Sequence, residues 1–268
     1  MHNSFRPLLP VNPNGLDEIA DALLQNNATT APDSSGSSQP GVNIQNPEKY
    51  IILTGRSHGS YSYPDLFVAM DRTHYGKNWK DAHLALSQEE SQMLSIRQFV
   101  DFLNLLRSGK VHDGTGRNLN KTKINAVLDE ILTVRNPWRS EWLDADFKVK
   151  DKKLGIVGGK VYMNYEHCVS NGNIIPKHSE EIRGYLASNK TPGIDLDEWL
   201  KNATSHGLPP ANIKDGSLYY WQPGKDNNSV AGSLLIRAGL TWTAIGVRLT
   251  LLRRSGYVPR EKNRVLFN

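Results

Sequence analysis

The sequence predicts an α+β fold, on three observations. Two segments carry strong helical periodicity with matching start and stop signals, short alternating runs cluster after them, and no segment repeats at a fixed period. Helices are expected early and short strands late, an order that argues against a doubly wound parallel sheet.

Taken along the chain, Leu16, Ile19, Ala20, Leu23 and Leu24 recur at helical spacing and predict a short amphipathic helix. Residues Asn27 to Pro40 contain no large apolar side chain and read as a flexible linker. Residues 1–44 are therefore expected to be a helix plus linker, and 45–268 one domain. Tyr50-Ile51-Ile52-Leu53-Thr54 predicts a strand. Pro64, at a position suited to a first helical turn, predicts a short helix through Met70. Ser95 and Gln98 form a capping box ahead of Ile96, Phe99, Val100, Leu103 and Leu106, so a helix runs from Ile96 until Ser108-Gly109 ends it. A second helix carries Ile124, Val127, Leu128, Ile131 and Leu132, and Pro137 stops it. A third, shorter one is capped by Asp195, with Leu196, Trp199 and Leu200 facing inward and Gly207 and Pro209 closing it.

Strand character follows at Val161–Tyr165, and Asn171-Gly172 is a hairpin turn signal. Asp215-Gly216 precedes a strand at Leu218–Trp221. Near the end, Ile245, Val247, Leu249 and Leu251 alternate with Gly246, Arg248 and Thr250, the pattern of a half-buried strand.

Composition narrows the function classes. The chain has 268 residues, 38% hydrophobic and 22% charged, with a mean hydropathy of −0.50. These values predict a soluble, loop-rich protein. No run approaches the roughly 20 apolar residues of a membrane span, so no membrane insertion is expected. Met1-His2-Asn3-Ser4-Phe5-Arg6 does not open a secretory leader; a cytoplasmic or virion-associated location is the expectation. Cys168 is the single cysteine, which excludes an internal disulfide framework and a multi-cysteine zinc site.

Charge is uneven. From Arg237 to Asn268 seven positive residues face one acid, Glu261, a local +6 in a chain of net +5, leaving −1 for the rest. A basic end of this kind attracts phosphate backbones. Nucleic-acid binding, with Trp242 or Tyr257 stacking on bases, is accordingly the alternative reading.

Motifs for catalysis are missing. Thr54-Gly55-Arg56-Ser57-His58-Gly59 lacks the spacing of a phosphate-binding loop and reads as a glycine-rich turn. Asp113-Gly114-Thr115-Gly116 has no second copy to supply the partner aspartate of an acid protease, and reads as a polar turn between helices. His167-Cys168 would point to opposite faces of a strand and so could not meet; they are the residues an enzymatic reading would use. The remaining histidines show no ligand pairing at one-turn helical spacing, and neither a metal, a calcium site nor a cofactor is expected. Asn136-Pro137-Trp138-Arg139-Ser140-Glu141-Trp142-Leu143-Asp144 concentrates two tryptophans with an arginine and two acids; the structural reading has the tryptophans covering apolar surface while Arg139 pairs with Glu141 or Asp144.

The C-terminal half carries an ordered set of motifs: Asp215-Gly216-Ser217-Leu218-Tyr219-Tyr220-Trp221, Asn227-Asn228-Ser229-Val230-Ala231, Arg237-Ala238-Gly239-Leu240 and Ile245-Gly246-Val247-Arg248. Upstream, Met93–Leu103 is similar to the strand-into-helix junction of the same fold. Together, over Tyr50 to Leu251, the chain resembles the variable proteins of diversity-generating retroelements, archaeal and viral ones included, which have a C-type lectin fold of the formylglycine-generating-enzyme type. The resemblance implies a non-enzymatic protein that binds an unidentified protein or cell-surface ligand through a diversified C-terminal surface, here 230–248. It implies that Gly232, Leu234, Ile236, Gly239, Thr241, Trp242 and Thr243 are the varied, ligand-binding positions, with Trp242 as anchor. Ala231, Arg237, Ala238, Leu240, Ile245, Val247 and Arg248 would be framework. The paired cysteines of the related enzyme's active site are missing, so its activity is not implied.

Overall fold

The computed structural model describes residues 44–133, 141–150, 159–220, 223, 229–232 and 247–252. Within them the α+β expectation holds. The expected N-terminal helix and linker lie outside the described residues, which all belong to the unit Val42–Asn268.

Strands open the domain. β1 (Tyr50–Leu53) pairs antiparallel with β4 (Leu66–Thr73), Ile51 opposite Val68 and Leu53 opposite Leu66. Between them β2 (Arg56–His58) and β3 (Tyr61–Tyr63) form a small hairpin that turns at Gly59, whose φ of 64° suits glycine. The far side of β4 pairs with β11 (Val247–Leu252), Arg248 opposite Arg72 and Leu251 opposite Phe67. The first strands and the last thus share one sheet, ordered β1-β4-β11. This corrects the helix expected from Pro64 to Met70. Leu66, Phe67, Val68 and Ala69 are all buried, so the run has no polar face for a surface helix; it is the central strand of its sheet, and Pro64 sits in the connection before it. It also corrects the expected order of helices before strands.

Three helices follow. α1 (Trp79–Gln88) begins at Asn78, whose side chain accepts from the Asp81 amide. α2 (Ile96–Ser108) has the full capping box: the Ser95 hydroxyl accepts from the Gln98 amide, and the Gln98 side chain accepts from the Ser95 amide. Gly109, left-handed at φ 68°, ends it. Its inward face, with Phe99, Val100, Phe102, Leu103 and Leu106, forms the centre of the core. α3 (Lys121–Leu132) buries Ile124, Val127 and Ile131 against the same core.

The second sheet is ordered β10-β5-β6-β7, all antiparallel, from β5 (Trp142–Lys150), β6 (Lys160–Ser170), β7 (Asn173–Glu181) and β10 (Ser229–Gly232). Asn171 and Gly172 make the expected two-residue turn between β6 and β7, both with positive φ, 50° and 73°. β8 (Lys190–Ile194) pairs with β9 (Leu218–Tyr220), and α4 (Leu196–Asn202) lies between them in sequence, capped by Asp195 as expected. Among the described residues no helix is long and apolar enough to cross a membrane.

Candidate functional site

Two regions are candidates for a functional site. The first is the sequence-predicted display segment. Of its candidate positions, Gly232 closes β10, where it pairs with Trp142 of β5. Leu234, Ile236, Gly239, Thr241, Trp242 and Thr243 lie outside the described residues, as do the framework positions Arg237, Ala238, Leu240 and Ile245 and the stacking candidate Tyr257. The framework residues Ala231, Val247 and Arg248 fall within β10 and β11. β10 is bonded to β5, and β11 to β4, so the strands on either side of 233–246 belong to different sheets.

The second region emerges only in three dimensions. α1 places Trp79 and His83 one turn apart on the same face. On β5, Asp144 and Asp146 share a face because strand side chains alternate. Asp146 sits opposite Asn164 of β6. His167 lies three residues beyond Asn164 and would point the other way in a regular strand. Glu166, between them, takes a left-handed φ of 53°, a conformation uncommon for a residue with a side chain, and this breaks the alternation. His167 then meets both carboxylates.

The contacts are close. His167 Nδ1 is hydrogen-bonded to Asp144 Oδ1 and its backbone amide donates to Asp144 Oδ2 at 3.0 Å. Its Nε2 lies 3.0 Å from Asp146 Oδ1. His83 Nε2 is 3.6 Å from Asp144 Oδ1 and has no hydrogen-bond partner among the described residues, although His83 is only 3% exposed. Trp79 walls the cluster edge-on, with ring centroids 4.2 Å from His83 and 5.0 Å from His167, and its indole N–H is fixed by the Leu143 carbonyl at 2.9 Å. Lys148 Nζ reaches Asp146 at 2.9 Å.

Electrostatics splits the two imidazoles. Burial pushes His83 down to about 4, against the pull of Asp144. Burial also pulls on His167, but its hydrogen bonds to Asp144 and Asp146 outweigh it and hold the ring up at about 9. Burial likewise opposes charge on Asp146, yet the bonds from His167, Lys148 and Asn164 keep its carboxyl below the usual range. His83, Asp144 and His167 each offer one ligand atom, and these atoms all lie within 4.8 Å of one another.

Other expectations resolve as follows. The glycine-rich turn expected over Thr54–Gly59 is mostly strand: Arg56–His58 is β2 and the chain turns only at Gly59, while the Gly55 amide donates to Asp65 at 2.8 Å and His58 faces Asp101 at 2.7 Å. Asp113 caps its own loop, accepting from the amides of Thr115 and Arg117 at 2.9 and 3.0 Å. Cys168 is exposed while His167 is buried, so the two face opposite ways. The pairing expected for Arg139 falls outside the described residues, as does Trp138; of the two acids it was expected to meet, Glu141 lies 3.6 Å from Arg72 and Asp144 meets His167. Trp142 is half-buried and donates to the Lys77 carbonyl at 3.0 Å.

Sequence spacing missed the histidine–carboxylate cluster because its members come from three elements far apart in the chain. The legible signal was Asp144-x-Asp146, two acids at alternate positions between the apolar residues Leu143, Ala145 and Phe147. Comparison with family models, with curated proteins and with solved structures gives no match.

Proposed function

We propose that the chain is a non-enzymatic ligand-binding protein with a C-type lectin fold of the formylglycine-generating-enzyme type, displaying a diversified surface between β10 and β11. Its class is that of the variable proteins of diversity-generating retroelements, and its target is a protein or cell-surface ligand. One observation carries the reading: the strands flanking 233–246 are each tied to a framework strand, β10 to β5 and β11 to β4, in separate sheets. A segment held at both ends by paired strands tolerates exchanged side chains, since the flanking ladders bond through backbone atoms. The return of the last strand to the sheet of the first strands supports the same reading, because it ties the display segment to the core of the domain.

Sequencing the gene in related genomes tests it. Substitutions are expected to concentrate at Gly232, Leu234, Ile236, Gly239, Thr241, Trp242 and Thr243, with Ala231, Val247 and Arg248 retained and a template repeat nearby. Substitutions spread evenly along the gene, with no neighbouring repeat, contradict it.

A further inference from the structure

We propose that His83, Asp144 and His167 bind a divalent transition-metal cation of the zinc class, with Asp146 orienting His167 from behind. The inference stands independently of the display reading.

Two imidazoles and a carboxylate are a donor set suited to such cations. The His83 Nε2 atom supplies the decisive observation. An ion pair of His167 with Asp144 and Asp146 accounts for three of the four side chains, but it leaves His83 Nε2 buried, without a hydrogen-bond partner among the described residues and 3.6 Å from a carboxylate oxygen. That distance is too long for a hydrogen bond. It is close to the separation of about 3.4 Å between two donors bound to one tetrahedral cation at their usual bond lengths. The third donor, His167 Nδ1, now hydrogen-bonded to Asp144, releases that proton to solvent when the cation binds, and it completes a triangle whose corners lie within 4.8 Å of one another. His167 Nε2, at 3.0 Å from Asp146 Oδ1, makes the carboxylate–histidine contact that typically holds a metal-bound imidazole in place. A bound cation would pin α1 to β5 and β6, and β5 is the strand on which β10 is paired.

The full chain, treated with a chelator and shown to be folded by near-ultraviolet circular dichroism, is equilibrated with Zn²⁺ or Co²⁺ and passed over a desalting column. The expected result is one metal ion retained per chain, with the intense visible absorption of low-coordinate Co²⁺. His83→Ala should weaken Zn²⁺ binding at least about 100-fold, and Asp146→Asn about 10- to 100-fold; Cys168→Ser should leave it unchanged. A measurement free of variants is the proton spectrum of the Co²⁺-loaded chain, in which two shifted exchangeable imidazole N–H signals are expected, one from each ligand ring. A folded chain that retains no Zn²⁺ and shows only the pale aqua-ion colour with Co²⁺ overturns the proposal. So does undiminished binding in His83→Ala, or a Co²⁺ spectrum without imidazole N–H signals.

Discussion

Tyr63 donates its phenolic hydroxyl to Asp101 across 2.6 Å, from β3 to α2, where Asp101 is 1% exposed. The same carboxylate takes Arg97 at 2.7 Å and His58 at 2.7 Å. Burial first, and then the Asp101 charge, push the Tyr63 phenol well above its ordinary range, so it stays a hydrogen-bond donor throughout the folded pH range. Replacing Tyr63 by Phe removes one of several donors and should cost about 1–3 kcal/mol. Asp101→Ala leaves the buried Arg97 guanidinium without its carboxylate and should cost more, about 3–5 kcal/mol. Urea unfolding of both variants checks the ranking; equal losses would contradict it.

Gly207 has φ 87°, and a Cβ there would meet the Arg97 amide nitrogen at 2.6 Å and the Ile96 carbonyl carbon at 2.7 Å. Its own carbonyl receives the buried Trp199 indole N–H at 2.8 Å. Gly207→Ala therefore combines backbone strain with a collision against the start of α2, and should cost at least about 2 kcal/mol. Gly109 is also left-handed, at φ 68°, but a Cβ would meet nothing within 4 Å, so Gly109→Ala should cost only about 1 kcal/mol. Thermal unfolding of the pair separates strain from collision.

Asp113 gives a pH dependence of definite sign. Burial opposes its charge, but the Thr115 hydroxyl and the Arg117 and Thr115 amides outweigh that and hold its carboxyl below the usual range. A depressed carboxyl stabilises the fold fully above its unfolded value of about 3.9, and the contribution is lost as pH falls through the lower folded value. The stability advantage of the native chain over Asp113→Asn should be constant from about pH 7 to 5 and shrink below about pH 4. Urea midpoints measured across that range check it; an advantage that grows on acidification would contradict it.

The elements legible in the sequence were those whose burial follows simple periodicity and whose ends carry side-chain caps. Ser95 and Gln98 announce α2, Asp195 announces α4, and Asn171-Gly172 announces the β6–β7 turn, because each acts on neighbouring backbone. β4 was misread because Leu66–Ala69 is buried throughout, and such a run carries no period to tell strand from helix. α1 was missed because Ala82, His83 and Leu86 are its buried residues, a weak apolar stripe containing a histidine. β5 was missed for the related reason that Asp144 and Asp146 occupy interior positions, made tenable by His167 at both carboxylates and by Lys148 and Asn164 at Asp146. The polar cluster thus hid two of the three elements that build it.

The core of α2 offers a plain check on the packing. Leu103 is 1% exposed at the centre of the main cluster, and Leu103→Ala should cost about 2–5 kcal/mol. Asn104, its neighbour on the outward side, instead donates to the Leu200 carbonyl at 3.1 Å, and Asn104→Ala should cost about 1 kcal/mol. Chemical denaturation measures both, and a reversed order would contradict the assignment of faces.

The most direct measurement of the display reading is a saturation library across 230–248, sorted for folded full-length chain by protease resistance. Substitutions at Leu234, Ile236, Thr241, Trp242 and Thr243 are predicted to leave stability within about 0.5 kcal/mol, while those at Ala231, Val247 and Arg248 deplete folded protein. Uniform tolerance along the segment, or depletion centred on the first set, would contradict it.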